Sequence, residues 1–157
     1  MKLLFSVFEK IIKIQLPEIC YILKNINVDI DYFCSSWFIT LFCGNFNIID
    51  KDNPPLLQIY FLEKFCLYRW SSIINLGLVI LEFCYDKMKT LEKDDLIKYI
   101  MNIIKEEKIF DNNNFEKCKN MYEKNEKIIN NIFVNKLLEI TRFEYQNKFL
   151  IEKDDCF

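Results

Sequence analysis

No histidine occurs among the 157 residues, and alanine is missing as well. The first absence excludes Ser-His-Asp and Cys-His nucleophilic machinery, histidine-ligated zinc and imidazole proton shuttles. Arginine is nearly absent, with only Arg69 and Arg142. Charge of one sign is also lacking: 21 basic against 23 acidic side chains leave a net −2. Without a basic excess there is little to release counterions from a polyphosphate, so no nucleic-acid partner is expected. A long apolar run is missing too. A spanning helix needs about 20 apolar residues. The longest uncharged stretch, residues 32–49, is diluted by Ser35, Ser36 and Thr40 and interrupted at Gly44 and Asn45, while Trp70 to Leu81 is shorter still. No membrane span is expected.

Seven cysteines are present, at Cys20, Cys34, Cys43, Cys66, Cys84, Cys118 and Cys156. The number is odd and no two stand as C-x-x-C, which argues against a Cys₄ zinc site and for no metal or cofactor. Most follow Phe or Ile in apolar stretches, where free cysteine acts as a small buried hydrophobe. Structural thiols of this kind suit a reducing compartment, and a cytoplasmic protein is expected. The opening "MKLLFSVFEK" starts like a signal peptide but meets Glu9 too early for an h-region. Cys156 is penultimate, so no prenylation box is expected. Acidic pairs such as Asp94–Asp95 and Glu106–Glu107 read as helix-end or solvated charges rather than catalytic dyads.

With glycine (2) and proline (3) scarce, helical periodicity dominates and no strand alternation of useful length appears. The first helix presents Leu4, Phe8 and Ile11 or Ile12 on one face. Pro17 opens a second, because its fixed φ suits a first turn, with Ile19, Ile22, Leu23 and Ile26 inward. Asp29 or Asp31 can cap a third, ending at Gly44, buried nearly all round and central to the fold. Pro54 and Pro55 announce a fourth helix, and Ser71 or Ser72 starts a fifth. A sixth sets Leu96, Ile100 and Ile104 four apart, beside Ile97 and Met101. Asp111 to Asn114 forms a linker before two Lys/Glu-rich helices. Residues 1–90 carry 9 basic and 9 acidic side chains and residues 91–157 carry 12 and 14, which places the core in the first part. The expected architecture is one all-α domain, 1–157, without internal repeats.

Within the third helix, "YFCSSWFITLFCGNF" resembles the TBC domain of Rab GTPase-activating proteins. That family has a helix reading approximately Tyr-hydrophobic-x-x-x-Trp-Phe-Leu-Thr-Leu-Phe, matched here by Tyr32, Trp37, Phe38, Thr40, Leu41 and Phe42. Leu16, Pro17 and Glu18 match a family Leu-Pro-Glu before a helix, and "YILKNINVD", "PLLQIYFLEKF" and "WSSIINLGLVILEF" follow in family order. The resemblance covers residues 5–105, with weak support around 131–146. It implies an all-α lobe at 1–105, with charged helices at 115–157 packing on it or extending from it. Trp37, Phe38, Leu41 and Phe42 are expected to fill the core rather than touch a partner.

The resemblance also implies function. The partner would be a Rab-type small GTPase, and the protein would be cytoplasmic or peripheral at endomembranes through it. Two departures from the pattern matter. Tyr60 and Phe61 stand where the family has Trp-Asp, after an insertion around "IIDKDNPP". More seriously, the family's arginine from I-x-x-D-x-x-R and glutamine from Y-x-Q, both supplied by its N-terminal half, have no counterparts. Neither Arg69 nor Arg142 has that context, and Tyr145 and Gln146 are adjacent rather than spaced. Hence the chain reads as a C-terminal TBC lobe that is not an enzyme by itself, with no catalytic residue to assign. A catalytically inactive TBC-like or other helical binding scaffold is the alternative.

Overall fold

The computed structural model describes residues 1–42, 55–129 and 136–144. Among them every regular element is helical: α1 (Lys2–Gln15), α2 (Pro17–Asn25), α3 (Ile30–Ile39), α4 (Leu56–Tyr68), α5 (Trp70–Met88), α6 (Lys93–Glu106) and α7 (Phe115–Glu126), followed by helical backbone at 136–144, named α8. The all-α expectation holds. No described helix is long and apolar enough to cross a membrane.

The helices start and stop where local chemistry demands. α1 buries Leu4, Val7, Phe8, Ile11 and Ile12, one stripe at helical spacing. Pro17 sits at the first position of α2, where its missing N–H costs nothing. Asp29 precedes α3 and Asp31 lies in its first turn, favourably placed against the positive end of the helix dipole. In α6, Asp94 and Asp95 do the same, so that acidic pair is a helix-end charge. The stretch 111–114 is more than a linker. It forms a 3₁₀ turn, Asn112–Asn114, in which Asp111 Oδ1 accepts from the Asn113 backbone N–H at 2.9 Å. Asn112 Oδ1 then accepts from the backbone N–H of Leu56 at 2.8 Å, satisfying an otherwise orphaned donor at the start of α4.

The central helix is α5, and here the expectation needs correction. From Ser71 to Leu81 every residue of α5 is buried, and it packs on α2, α3, α4, α6 and α7. α3 buries only Phe33, Cys34, Trp37 and Phe38, leaving Tyr32 64% and Ile39 67% exposed. Ten residues supply only one inward face, whereas the nineteen of α5 thread the whole core. α5 also starts at Trp70, one residue before the earlier of the two expected serines. Ser71 Oγ donates back to the Tyr68 carbonyl and Ser72 Oγ to the Lys64 carbonyl, so both hydroxyls bind the end of α4.

α3 stops at Ile39, and Gly44 lies outside the described residues. The chain turns through Leu41 (φ 49°) and Phe42 (φ 63°), with the Phe42 N–H donating to the Trp37 carbonyl at 2.6 Å. Left-handed backbone at two bulky residues is unfavourable. Its return is a fully buried Phe42 against Trp37, Phe38 and Phe61, at ring-centroid distances of 6.1, 6.2 and 5.4 Å. Trp37 (2% exposed) and Phe38 are buried as well, while Leu41 is only half-buried because it lies past the helix end. Burial of aromatics of this size dominates core energetics.

Candidate functional site

A surface hollow of about 650 Å³ lies at the α1–α2–α3 junction. Phe5, Leu23, Val28 and Ile30 give it apolar walls, and Lys2, Glu9, Lys24, Asp29 and Asp31 a charged rim of both signs. The α2–α3 connection shapes it. Asn27 adopts φ 54°, a conformation its short amide side chain tolerates, and the Val28 N–H closes the end of α2 on the Leu23 carbonyl at 3.2 Å. A second hollow of about 590 Å³ shares Asn27, Val28, Asp29 and Asp31 and extends past exposed Tyr32 and half-buried Ser35 to Ile97 of α6. Together they form a groove with an apolar floor, a mixed-charge rim and one protruding aromatic. Sequence reading missed this groove, since its residues come from separate elements with no motif. The only signal was the polar "NVDID" between two apolar helices.

Such a groove suits a protein surface better than a reacting small molecule. No described group of His, Cys, Asp or Glu residues could hold a metal. The buried thiols are poor nucleophiles: burial pushes Cys84 up to about 12 and Cys118 to about 11, and Cys34 higher still. Cys20 is also buried and free, Cys66 is free and exposed, and Cys43 and Cys156 lie outside the described residues.

The two arginines are not brought together. Arg69 occupies the corner between α4 and α5 with φ 49°, ψ −115°, exposed to solvent. Arg142 is exposed on α8, beside Thr141, which accepts from Lys10 Nζ of α1 at 3.2 Å. An ion pair of 2.7 Å between Lys10 and Glu144 holds the same segment against α1. Tyr145 and Gln146 lie outside the described residues. At the departure from Trp-Asp, Tyr60 Oη donates to Glu123 at 3.3 Å and Phe61 is fully buried, an edge contact away from Phe42.

Residues 1–89 match the sequence model of the Rab-GTPase-TBC domain, more than half of the chain. The matched span takes in α1 to α5 and stops at the C-cap of α5, short of the α6 included in the sequence-level resemblance. No curated protein and no solved structure matches the chain.

Proposed function

The chain belongs to the Rab-GTPase-TBC domain family, and from that premise we propose that it forms the C-terminal lobe of a Rab GTPase-activating domain, without the catalytic fingers. It contributes packing, and the mixed-charge groove over α1–α3 is its share of the GTPase-facing surface. The observation that carries this reading is the pairing of a family match over α1–α5 with a chain whose two arginines stand outside any finger motif. GTP hydrolysis needs charge stabilisation on the transferring phosphoryl and an oriented water, and an arginine supplied in trans contributes on the order of 10³–10⁵ in rate. A lobe without arginine and glutamine fingers therefore positions the GTPase but does not accelerate it. On this reading the protein acts in the cytoplasm, reaching endomembranes through its GTPase.

A second reading is a catalytically inactive TBC-like scaffold. The presence of Tyr60 and a buried Phe61 where the resemblance sets the family's Trp-Asp favours it, because α4 is then held by a core aromatic and a Tyr60–Glu123 hydrogen bond without that carboxylate.

Single-turnover GTP hydrolysis by a panel of Rab proteins tests both. Residues 1–157 alone are expected to give no stimulation, and fusion to an N-terminal TBC half carrying both fingers to give strong stimulation. Asp31→Lys in the fusion should weaken it if the groove meets the GTPase. Stimulation by the isolated chain that disappears with Arg69→Ala or Arg142→Ala would sink the first reading. No stimulation by the fusion supports the scaffold.

A further inference from the structure

The charges around the α1–α3 groove are sorted by sign along its length. Lys2 and Lys24 line the first hollow, Asp29 and Asp31 line both, and Tyr32 and Ile97 line the second. Helix ends help fix that order. Lys24 lies in the last turn of α2, where a cation meets the negative end of the dipole. Asp31 lies in the first turn of α3, where an anion meets the positive end. None of these four charges makes an ion pair among the described residues. Elsewhere lysines close on acids of other elements: Lys10 on Glu144, Lys64 on Glu126, Lys87 on Glu107 and Lys124 on Glu82. Glu9, which also lines the first hollow, is taken by Lys13 at 2.6 Å. The groove therefore keeps two cations and two anions open around an apolar floor.

Resting on the reading of this groove as GTPase-facing, we infer that it selects its GTPase by the order of charge. The Lys2–Lys24 end takes a carboxylate of the GTPase, and the Asp29–Asp31 stretch takes an ammonium or guanidinium. Tyr32 and Ile97 meet an apolar side chain beyond them. A small ion does not suit the groove. An anion drawn to the lysines is repelled by the aspartates, and a cation the reverse, whereas a protein strip presents both signs in turn. The apolar floor focuses the field of each pair of charges into the cleft. A strip with its signs in the opposite order sets like charges together at both ends, so order discriminates where net charge does not. Lys24 and Asp31 are thereby specificity-determining residues. Tyr32, 64% exposed, is of the aromatic type that most often anchors an interface.

Binding of the full 157-residue chain to immobilised Rab proteins, loaded with a non-hydrolysable GTP analogue, tests it. For a Rab that binds, Lys24→Glu and Asp31→Lys should each weaken the complex by about tenfold, since attraction becomes repulsion. The loss should lie mostly in the association rate and shrink as salt rises. Asp31→Asn removes the charge but keeps a polar side chain at the start of α3, and should give a smaller loss of the same kind. Charge swaps on the Rab then read the order. One acidic-to-lysine substitution should restore binding to Lys24→Glu and not to Asp31→Lys, and one basic-to-glutamate substitution the reverse. Binding indifferent to Lys24→Glu and to both Asp31 variants, or both reversals rescued by the same swap, overturns the proposal and leaves the GTPase reading standing. Binding to no Rab overturns both. Self-association that depends on Lys24 and Asp31 in place of Rab binding assigns the groove to a second copy and overturns it as well.

Discussion

The ring of Phe8 in α1 stands where a side chain on Gly77 of α5 would go: a β-carbon there would lie 2.8 Å from Phe8 Cζ and 3.1 Å from Cε2. Glycine in mid-helix costs about 1 kcal/mol relative to alanine. Here that cost permits α1 to seat its largest side chain directly on the central helix. Phe8 has little room to retreat, since it is fully buried with its ring centroid 5.0 Å from that of Phe38. Gly77→Ala is therefore expected to destabilise by about 1–2 kcal/mol, overpacking outweighing the gain in helix propensity. Urea unfolding at unchanged m-value measures it. A stabilised variant would mean that α1 shifts freely over α5.

Trp37 is the second test of the core. It meets Phe33 edge-on at 5.2 Å and Phe42 at 6.1 Å. Trp37→Ala should cost about 3–5 kcal/mol, the range for a large aromatic lost from a packed interior. A loss under about 1 kcal/mol would remove the reading of this aromatic cluster as the clamp between α3 and α4.

How much of this was legible follows element by element. The stripe of α1 and the opening of α2 at Pro17 declare themselves through period and a fixed φ, and both stand as read. The end of α3 was not legible, because Leu41 and Phe42 adopt left-handed backbone without the glycine or asparagine that usually signals it. Only the burial gained by Phe42, a contact with residues distant in sequence, explains the turn. The centrality of α5 was written in its uncharged run, Trp70 to Leu81, but length alone did not show that it exceeds α3 in neighbours. Asn112 capping α4 from 56 residues away leaves no local trace. The groove was hidden for the same reason, since polar residues of separate elements become neighbours only on folding.

Arg69 holds φ 49°, ψ −115° between two helices, a conformation suited to glycine. It persists because its surroundings dictate it: the Arg69 N–H donates to the Phe65 carbonyl at 2.9 Å, and Ser72 ties its backbone N–H and its hydroxyl to the corner. Strain of this kind costs about 1–3 kcal/mol, while glycine loses about 0.5–1 kcal/mol more entropy on folding. Arg69→Gly should therefore raise the stability of the fold by about 1 kcal/mol, read from the urea midpoint. Loss of stability would show that the arginine side chain itself holds the corner.

The buried thiols predict how the fold meets alkali. Burial moves Cys84 from an ordinary 9.0 up to about 12 and Cys118 up to about 11, and raises the phenols of Tyr99 and Tyr122 above their ordinary 10.0. Below about pH 8 these thiols are protonated both folded and unfolded and contribute no pH dependence. Between 9 and the folded values the unfolded chain binds fewer protons than the native one, so stability falls as pH rises. Each fully titrating group adds a slope of about 1.4 kcal/mol per pH unit within its window. Urea midpoints in reductant at pH 7.5, 9, 10 and 10.5 should be flat at first and then fall. Cys118→Ser, which keeps the site filled by a group that does not titrate there, should make the fall shallower between 9 and 11. A profile unchanged by that substitution would show that the Cys118 thiol ionises in the folded protein as readily as in the unfolded chain, and that the α7 face burying it opens to solvent.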